Sequence, residues 1–280
     1  MIHSIKEEVL LAEDHPANQQ IISHFLETAG YRVDIVENGA LAVACFRERQ
    51  YDLILMDVEM PVMGGHPAAL AIRELERRIW GDSGHRVPII ALTALPVNGC
   101  KEECIVAGMD DCLCKPFSRE ELLHIVEKWL APQRGKPPST DDQTSDTHVD
   151  RQQGLQGLQE GAPMDFERAV EEFEGDRDCV LDVMNGFLLK LADQLKVIGE
   201  AIADGNSEAV RKESHSIRGC ASNITAYPLA GVAGELDDIA ASGVLDRGAE
   251  DALRRLQKEF IHLEGYFRET QERSRQKECP

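Results

Sequence analysis

Glu13, Asp14, Asp57, Thr93 and Lys115 are of the types that handle phosphoryl groups, and each stands at or just after the end of a short apolar run. Three carboxylates sharing one site repel one another and need a compensating cation. Oxygen ligands favour a hard ion, Mg2+, which keeps several waters and leaves room for a phosphoryl oxygen. In such a site Asp57 is the expected nucleophile toward an incoming phosphoryl group, with the divalent ion neutralising the phosphoryl oxygens. Lys115 supplies a fixed positive charge on the opposite side. The Thr93 hydroxyl can donate to a phosphoryl oxygen once the acyl phosphate exists.

A second group lies far along the chain. On a helix, positions 211, 212, 215, 218, 219 and 222 share one face. They are Arg211, Lys212, His215, Arg218, Gly219 and Ser222, basic or small apart from the histidine. Val210, Ile217, Ala221 and Ile224 fall on the other side as a core stripe. His215 is expected to project to solvent as a second phosphoryl acceptor. Glycine inside a helix costs about 1 kcal/mol against alanine, so Gly219 needs a reason. Removing a side chain one turn from His215 lets a partner approach closely. Lys212 and Arg218 offer positive charge to phosphoryl oxygens and to an acidic partner.

The elements that must position these residues follow from periodicity. Val9–Ala12, Tyr31–Val36, Leu53–Met56, Pro88–Leu92 and Asp111–Cys114 are apolar runs of strand length. Between and after them lie helical patterns at 18–29, 39–49, 67–78, 97–107 and 119–130, with Gly30 and Gly108 where helix C-caps are expected. Five such β/α repeats predict an α/β doubly wound domain over residues 1–131, a five-stranded parallel sheet with helices on both faces. Ligands bind outside the carboxyl ends of strands in that architecture, which is where the five residues stand. Residues 132–163 are rich in Pro, Ser, Thr, Asp, Gln and Gly and read as a flexible linker. From 164 to 272 the pattern is helical throughout. Met184, Leu188, Leu191, Leu195, Ile198 and Ile202 form one stripe; Leu253, Leu256, Phe260, Leu263 and Phe267 form another. Helices over 206–224, with Asn206 or Ser207 as N-cap, and over 228–241, with Leu229, Val232, Leu236 and Ile239, lie between them. These predict an all-α antiparallel four-helix bundle, with residues 273–280 as a tail.

Composition narrows the classes. The chain of 280 residues has a formal net charge of -20 and a pI of about 4.8, which argues against direct nucleic-acid binding. No run of about 18 apolar residues predicts a membrane span, and no signal-peptide pattern opens the sequence, so a cytoplasmic location is expected. Eight cysteines invite a metal reading. Cys112 and Cys114 alternate on a strand and point to opposite faces, so free thiols are expected instead.

Residues 8–130 resemble a response-regulator receiver domain. The resemblance is carried by Ala12-Glu13-Asp14, by Met56-Asp57-Val58-Glu59-Met60-Pro61-Val62-Met63-Gly64-Gly65, by Leu92-Thr93-Ala94 and by Lys115-Pro116. It implies a flavodoxin-like fold, Asp57 as phosphoacceptor, Glu13 and Asp14 as magnesium ligands with Asp57, Thr93 and Lys115 as phosphate contacts, and a cis bond between Lys115 and Pro116. Gly64 stands where the family often has Asp, which is expected to loosen the loop after the acceptor. Cys112 stands where many receivers have an aromatic that swings with phosphorylation, so a switch of that kind is not expected. His215-Ser216-Ile217-Arg218-Gly219-Cys220-Ala221-Ser222-Asn223-Ile224 resembles the signature of histidine phosphotransfer (HPt) domains, and the likeness covers about residues 164–270. It implies His215 as the phosphorylated residue; Thr225 stands where that family often has Gly.

The pair of domains is similar to the C-terminal part of hybrid sensor histidine kinases. It implies a phosphorelay protein whose partners are a sensor histidine kinase and another receiver domain. The 280 residues show no Asn-bearing helix with the Asp-x-Gly and Gly-rich lid segments of an ATP-binding kinase, so no kinase activity is expected. The alternatives are a magnesium phosphohydrolase with an aspartyl intermediate and a scaffold that is never phosphorylated. Asp57 and His215 can exchange with each other or each with another protein. A random-coil linker of this length spans about 30 Å, which permits the first.

Overall fold

The structure is a computed structural model that describes residues 6–81, 85–93, 97–131 and 161–277. Most of the expected linker lies outside the described residues. The chain divides into two bodies, each with its own core.

The first body alternates strand and helix as expected. Its elements are β1 (Glu8–Ala12), α1 (Pro16–Thr28), β2 (Arg32–Val36), α2 (Gly39–Glu48), β3 (Leu53–Asp57), α3 (Gly65–Trp80), β4 (Ile89–Thr93), α4 (Val97–Val106), β5 (Asp111–Cys114) and α5 (Arg119–Leu130). All five strands are parallel, in the order β2-β1-β3-β4-β5. Every residue of β3 and β4 is buried, which is why these runs are apolar without alternation. The strand order reverses at β1, so the crevice opens beyond the carboxyl ends of β1 and β3.

Local chemistry sets the helix ends. Asn38 caps α2 by accepting from the Leu41 amide, and Ser118 with Glu121 forms a capping box on α5. Gly30 and Gly108 take positive φ, as their C-cap positions require. Helix α3 begins at Gly65, ahead of the expected Pro67, because proline is tolerated in a first helical turn. Cys112 is buried in the same apolar cluster as Cys104 and Met109. Cys45, Cys104, Cys112, Cys114, Cys179 and Cys220 are all thiols outside any disulfide.

The second body contains α6 (Phe166–Glu172), α7 (Arg177–Ala203), α8 (Ser207–Asn223), α9 (Tyr227–Ala241) and α10 (Arg247–Lys277). Helix α7 packs on α8, α8 on α9, α9 on α10, and α10 returns to α7, which closes a four-helix bundle. The short turns between successive helices make neighbours antiparallel. Asp176 caps α7, and Asn206 caps α8. Met184, Leu191 and Ile198 are fully enclosed with Val210, Ile217, Ala221, Leu229, Leu236, Leu256 and Leu263. Helix α9 is rotated relative to the stripe read from its sequence. Its buried face is Leu229, Ala230, Ala233, Leu236 and Ala240, and the expected Val232 and Ile239 lie at the margin. Small alanines let α8 and α9 approach closely, so the large residues flank the contact. Helix α6 is an addition to the expected elements, and α10 extends beyond residue 272.

Thr225 follows α8 with φ of 61°, a left-handed conformation that is costly for a β-branched residue. Its hydroxyl donates to the Asp165 carbonyl at 2.7 Å, and the Asp165 amide donates to the Thr225 carbonyl at 3.3 Å. Asp165 in turn caps α6. The pair of bonds offsets the backbone cost and ties the end of α8 to the start of α6.

Among the described residues no helix is long and apolar enough to cross a membrane.

Candidate functional site

Strand register builds the first site. Ala12 pairs with Met56, Asp57 with Leu92, and Thr93 with Cys114. Glu13, Asp57, Thr93 and Lys115 therefore emerge at nearly one level along the sheet's carboxyl edge. Ligand atoms of Glu13, Asp14 and Asp57 lie within 4.8 Å of one another. The ammonium of Lys115 donates to Glu13 Oε2 at 2.6 Å and to Asp57 Oδ2 at 2.7 Å. Asp57 Oδ1 accepts from the Glu59 amide at 3.3 Å. Glu13, Asp57 and Thr93 are buried. The Lys115–Pro116 bond is cis.

Electrostatics at this edge are unbalanced. Burial raises the pKa of Asp57 most, Lys115 lowers it, and Glu13 and Asp14 raise it again; the result stands well above 3.8. For Lys115 burial disfavours the charged form, but Asp57 and Glu13 outweigh it and hold its pKa above 10.5. Lys115 brings one positive charge to a cluster of three carboxylates, an all-oxygen donor set that suits a divalent cation.

The loop after Asp57 is folded tightly against it. The Val58 amide donates to Leu92 O at 3.0 Å, and the Gly65 amide donates to Val58 O at 2.9 Å. A Cβ on Gly65 would stand 2.3 Å from the Asp57 carbonyl oxygen, so only glycine fits there. Gly64, the neighbour that departs from the family pattern, has φ of -72° and makes no such demand. Gly65 is a position whose importance the sequence pattern does not reveal.

The second site is centred on α8. Val210, Ile217, Ala221 and Ile224 are buried as the stripe required, and Arg211, Lys212 and Arg218 are exposed. The His215 side chain is only 21% exposed, which corrects the expectation that it projects freely to solvent. Its Nδ1 lies 3.1 Å from Asp237 Oδ2, on the buried face of α9. Arg211 Nε and Arg218 Nη1 each lie 3.8 Å from the same carboxylate, too far for hydrogen bonds. A Cβ at Gly219 would meet nothing within 4 Å, so the bundle's own packing does not call for glycine there.

Two family models match the chain. Residues 9–127 match the response regulator receiver domain, and residues 182–270 match the Hpt domain. The chain joins a receiver domain to an Hpt domain. That order matches the architecture of hybrid sensor kinases. Sensor protein GacS of Pseudomonas syringae pv. syringae is 31% identical over 264 residues, 93% of this chain and 27% of that protein. Two-component system protein A of Emericella nidulans is 42% identical over 128 residues, 45% of this chain and 18% of its own length. The chain thus spans well under a third of these relatives. Among solved structures, the receiver domain of sensor histidine kinase PA1611 from Pseudomonas aeruginosa PAO1, with a magnesium ion in its active site cleft, is 45% identical. It covers 45% of this chain and 98% of that one, with a TM-score of 0.40.

In the Hpt domain the residue that sequence reasoning misses is Asp237. Its signal is present: Asp237 continues the Ala230, Ala233, Ala240 face of α9, where an acidic side chain must find a partner once buried. The larger Val232 and Ile239 obscure that face.

Proposed function

We propose that this chain is a phosphorelay module, in which the receiver domain takes a phosphoryl group on Asp57 and the Hpt domain carries one on His215. The observation that carries the reading is the meeting of Asp57 with Glu13, Asp14 and Lys115 at the carboxyl edge of the sheet. The donor to Asp57 is a phosphohistidine of a sensor histidine kinase: its N–P bond breaks as a carboxylate oxygen of Asp57 forms the new O–P bond. His215 exchanges with the aspartate of a receiver domain, in this chain or another. The proposed boundaries are 1–131 for the receiver, 132–163 for the linker, 164–272 for the Hpt bundle and 273–280 for a tail. The proposed location is the cytoplasm.

The residues present fit a magnesium ion, since an all-oxygen, net-negative cluster is the donor set that ion prefers. Glu13, Asp14 and Asp57 would hold it. When bound it supplies positive charge to the phosphoryl oxygens. Lys115 neutralises Asp57 and, after transfer, faces the phosphoryl group. Thr93 offers a hydroxyl to a phosphoryl oxygen. Gly65 keeps the loop close to the acceptor.

On the Hpt side Asp237 acts as an orienting residue. A carboxylate accepts, so Nδ1 of His215 donates to it and Nε2 keeps its lone pair for phosphorus. Lys212, Arg211 and Arg218 surround the site with positive charge, and Gly219 leaves room for the partner.

The test is mass-spectrometric mapping after incubation with acetyl phosphate and Mg2+, then with a phosphorylated receiver. Label on Asp57 that disappears in Asp57→Ala, and label on His215 that disappears in His215→Gln, is the expected result. Steady turnover of phosphate esters without a stable aspartyl phosphate would favour the phosphohydrolase alternative.

A further inference from the structure

The loop that follows Asp57 holds a strained residue. Val62 has φ of 66°, a left-handed conformation that is costly for a β-branched residue, and at 88% exposed it does not offset that cost by burial. Across it the Met63 amide donates to the Pro61 carbonyl at 2.7 Å, which closes a three-residue turn of the strained hand. Such a turn persists only where its surroundings impose it.

The start of α2 imposes it here. The Gly39 amide donates to the Met63 carbonyl at 2.9 Å. A Cβ on Gly39 would stand 2.7 Å from that oxygen, 3.0 Å from the Gly64 carbonyl oxygen and 2.6 Å from Ala68 Cβ, so a side chain there would force the helix start off the loop. Three residues earlier, the Val36 carbonyl accepts from the Glu13 amide at 3.0 Å. Segment 36–39 therefore bridges the two backbones that present the acidic cluster, one at Glu13 and one after Asp57. On the loop side, the Glu59 amide reaches Asp57 Oδ1 at 3.3 Å.

We propose that Gly39 is a positioning residue for the phosphoacceptor: by letting α2 press on Met63, it holds the strained turn at Val62 and keeps the Glu59 amide on the Asp57 carboxylate. The inference rests on reading Asp57 as the acceptor. Gly39 touches no reacting atom and acts only through the loop. A side chain at 39 would have to drive the Met63 carbonyl back to an ordinary carbon–oxygen contact of about 3.3 Å. That is a displacement of roughly half an ångström, and the Glu59 amide would travel with it. A misplacement of about 1 Å can slow a reaction about a hundredfold, so half of that costs about tenfold.

The experiment times the labelling of Asp57 by acetyl phosphate at saturating Mg2+ in the full chain, for wild type, Gly39→Ala and the double variant Gly39→Ala with Ala68→Gly. The amide resonance of Glu59 is followed in each. Gly39→Ala is expected to be labelled about tenfold more slowly, with the Glu59 resonance shifted. The double variant removes the Ala68 contact and leaves the Met63 contact, so it is expected to stay slow. A wild-type rate in a folded Gly39→Ala, or its return in the double variant, overturns the proposal, since the second result would place the effect in the packing of α2 on α3. If the variants do not fold, hydrogen exchange in wild type decides. The Gly39 and Glu59 amides are expected to exchange at one common rate, as parts of one opening unit, and rates more than about tenfold apart reject the coupling. A wild type that takes no label on Asp57, with a Glu59 resonance that still moves in Gly39→Ala, loses the acceptor reading and keeps the loop contact; a labelled wild type with an indifferent Gly39→Ala does the opposite.

Discussion

Asp57 is held by opposing forces. Burial at the end of β3 disfavours its charge, Lys115 favours it, and Glu13 and Asp14 disfavour it again. His215 is arranged differently, with one buried carboxylate, Asp237, shared among an imidazole and two loosely placed guanidinium groups. If Asp237 orients the imidazole, Asp237→Ala will slow phosphorylation of His215 by about 10- to 100-fold, as loss of an orienting partner typically does. Asp237→Asn keeps an acceptor oxygen and will recover most of the rate. Phosphotransfer time courses from a labelled receiver, with helicity checked by circular dichroism, compare the two; equal rates in all three proteins would rule the role out. The acidic cluster and His215 are legible in the sequence because their residue types are telling and their strand or helix positions fixed. Asp237 is legible only as an acidic residue on the alanine face of α9; nothing in sequence spacing links it to His215, and only the packing of α8 on α9 does. The pivotal glycine is hidden too, because a 2.3 Å approach to a carbonyl cannot be read from a Gly-Gly pair.

Among the elements, strands are easiest to read. β3 and β4 are apolar from end to end because both faces are covered, and the register of β1 with β3 brings Glu13 level with Asp57. Helix α6 escapes notice because seven residues carry too few turns to show a period. Helix α5 owes its seat partly to Asp111 on β5, which accepts from Lys128 Nζ at 2.9 Å, Trp129 Nε1 at 3.0 Å and the Cys112 amide at 3.0 Å. Burial raises the Asp111 pKa, but the bonds from Lys128, Trp129 and Cys112 together outweigh it, leaving the folded value below 3.8. A depressed carboxyl pKa stabilises the fold above the unfolded value and loses that contribution as pH falls through the folded value. Asp111→Asn will therefore be less stable than wild type at pH 7 by about 1–3 kcal/mol. The gap will narrow as pH drops below 3.8, measured by urea titration across that range. A gap that stays constant with pH would contradict the assignment.

At the scale of the whole molecule, both tryptophans sit in the first body. Trp80 packs edge-on to Phe46, and Trp129 donates to Asp111. Tryptophan fluorescence thus reports the receiver, while the far-ultraviolet helix signal is weighted toward the bundle. Magnesium at a hundred times its dissociation constant will stabilise the fluorescence-detected transition by about 2.7 kcal/mol, and a chelator will reverse it. Asp57→Asn will shrink the shift, and an equal shift in that variant would place the ion elsewhere. The two-body division is legible from the change of composition after residue 132. The rotation of α9 is not, because it depends on which small residues meet across a helix pair. Gly219 carries a last consequence. Since, among the described residues, nothing beyond its own stretch of helix comes within 4 Å of a Cβ placed there, alanine should raise helix stability by up to about 1 kcal/mol. A screen scoring thermal tolerance would reward that change, whereas a screen scoring traffic of phosphoryl groups between proteins would punish it. Opposite rankings at this one position would mark a stretch of surface shaped for company at the expense of its own firmness.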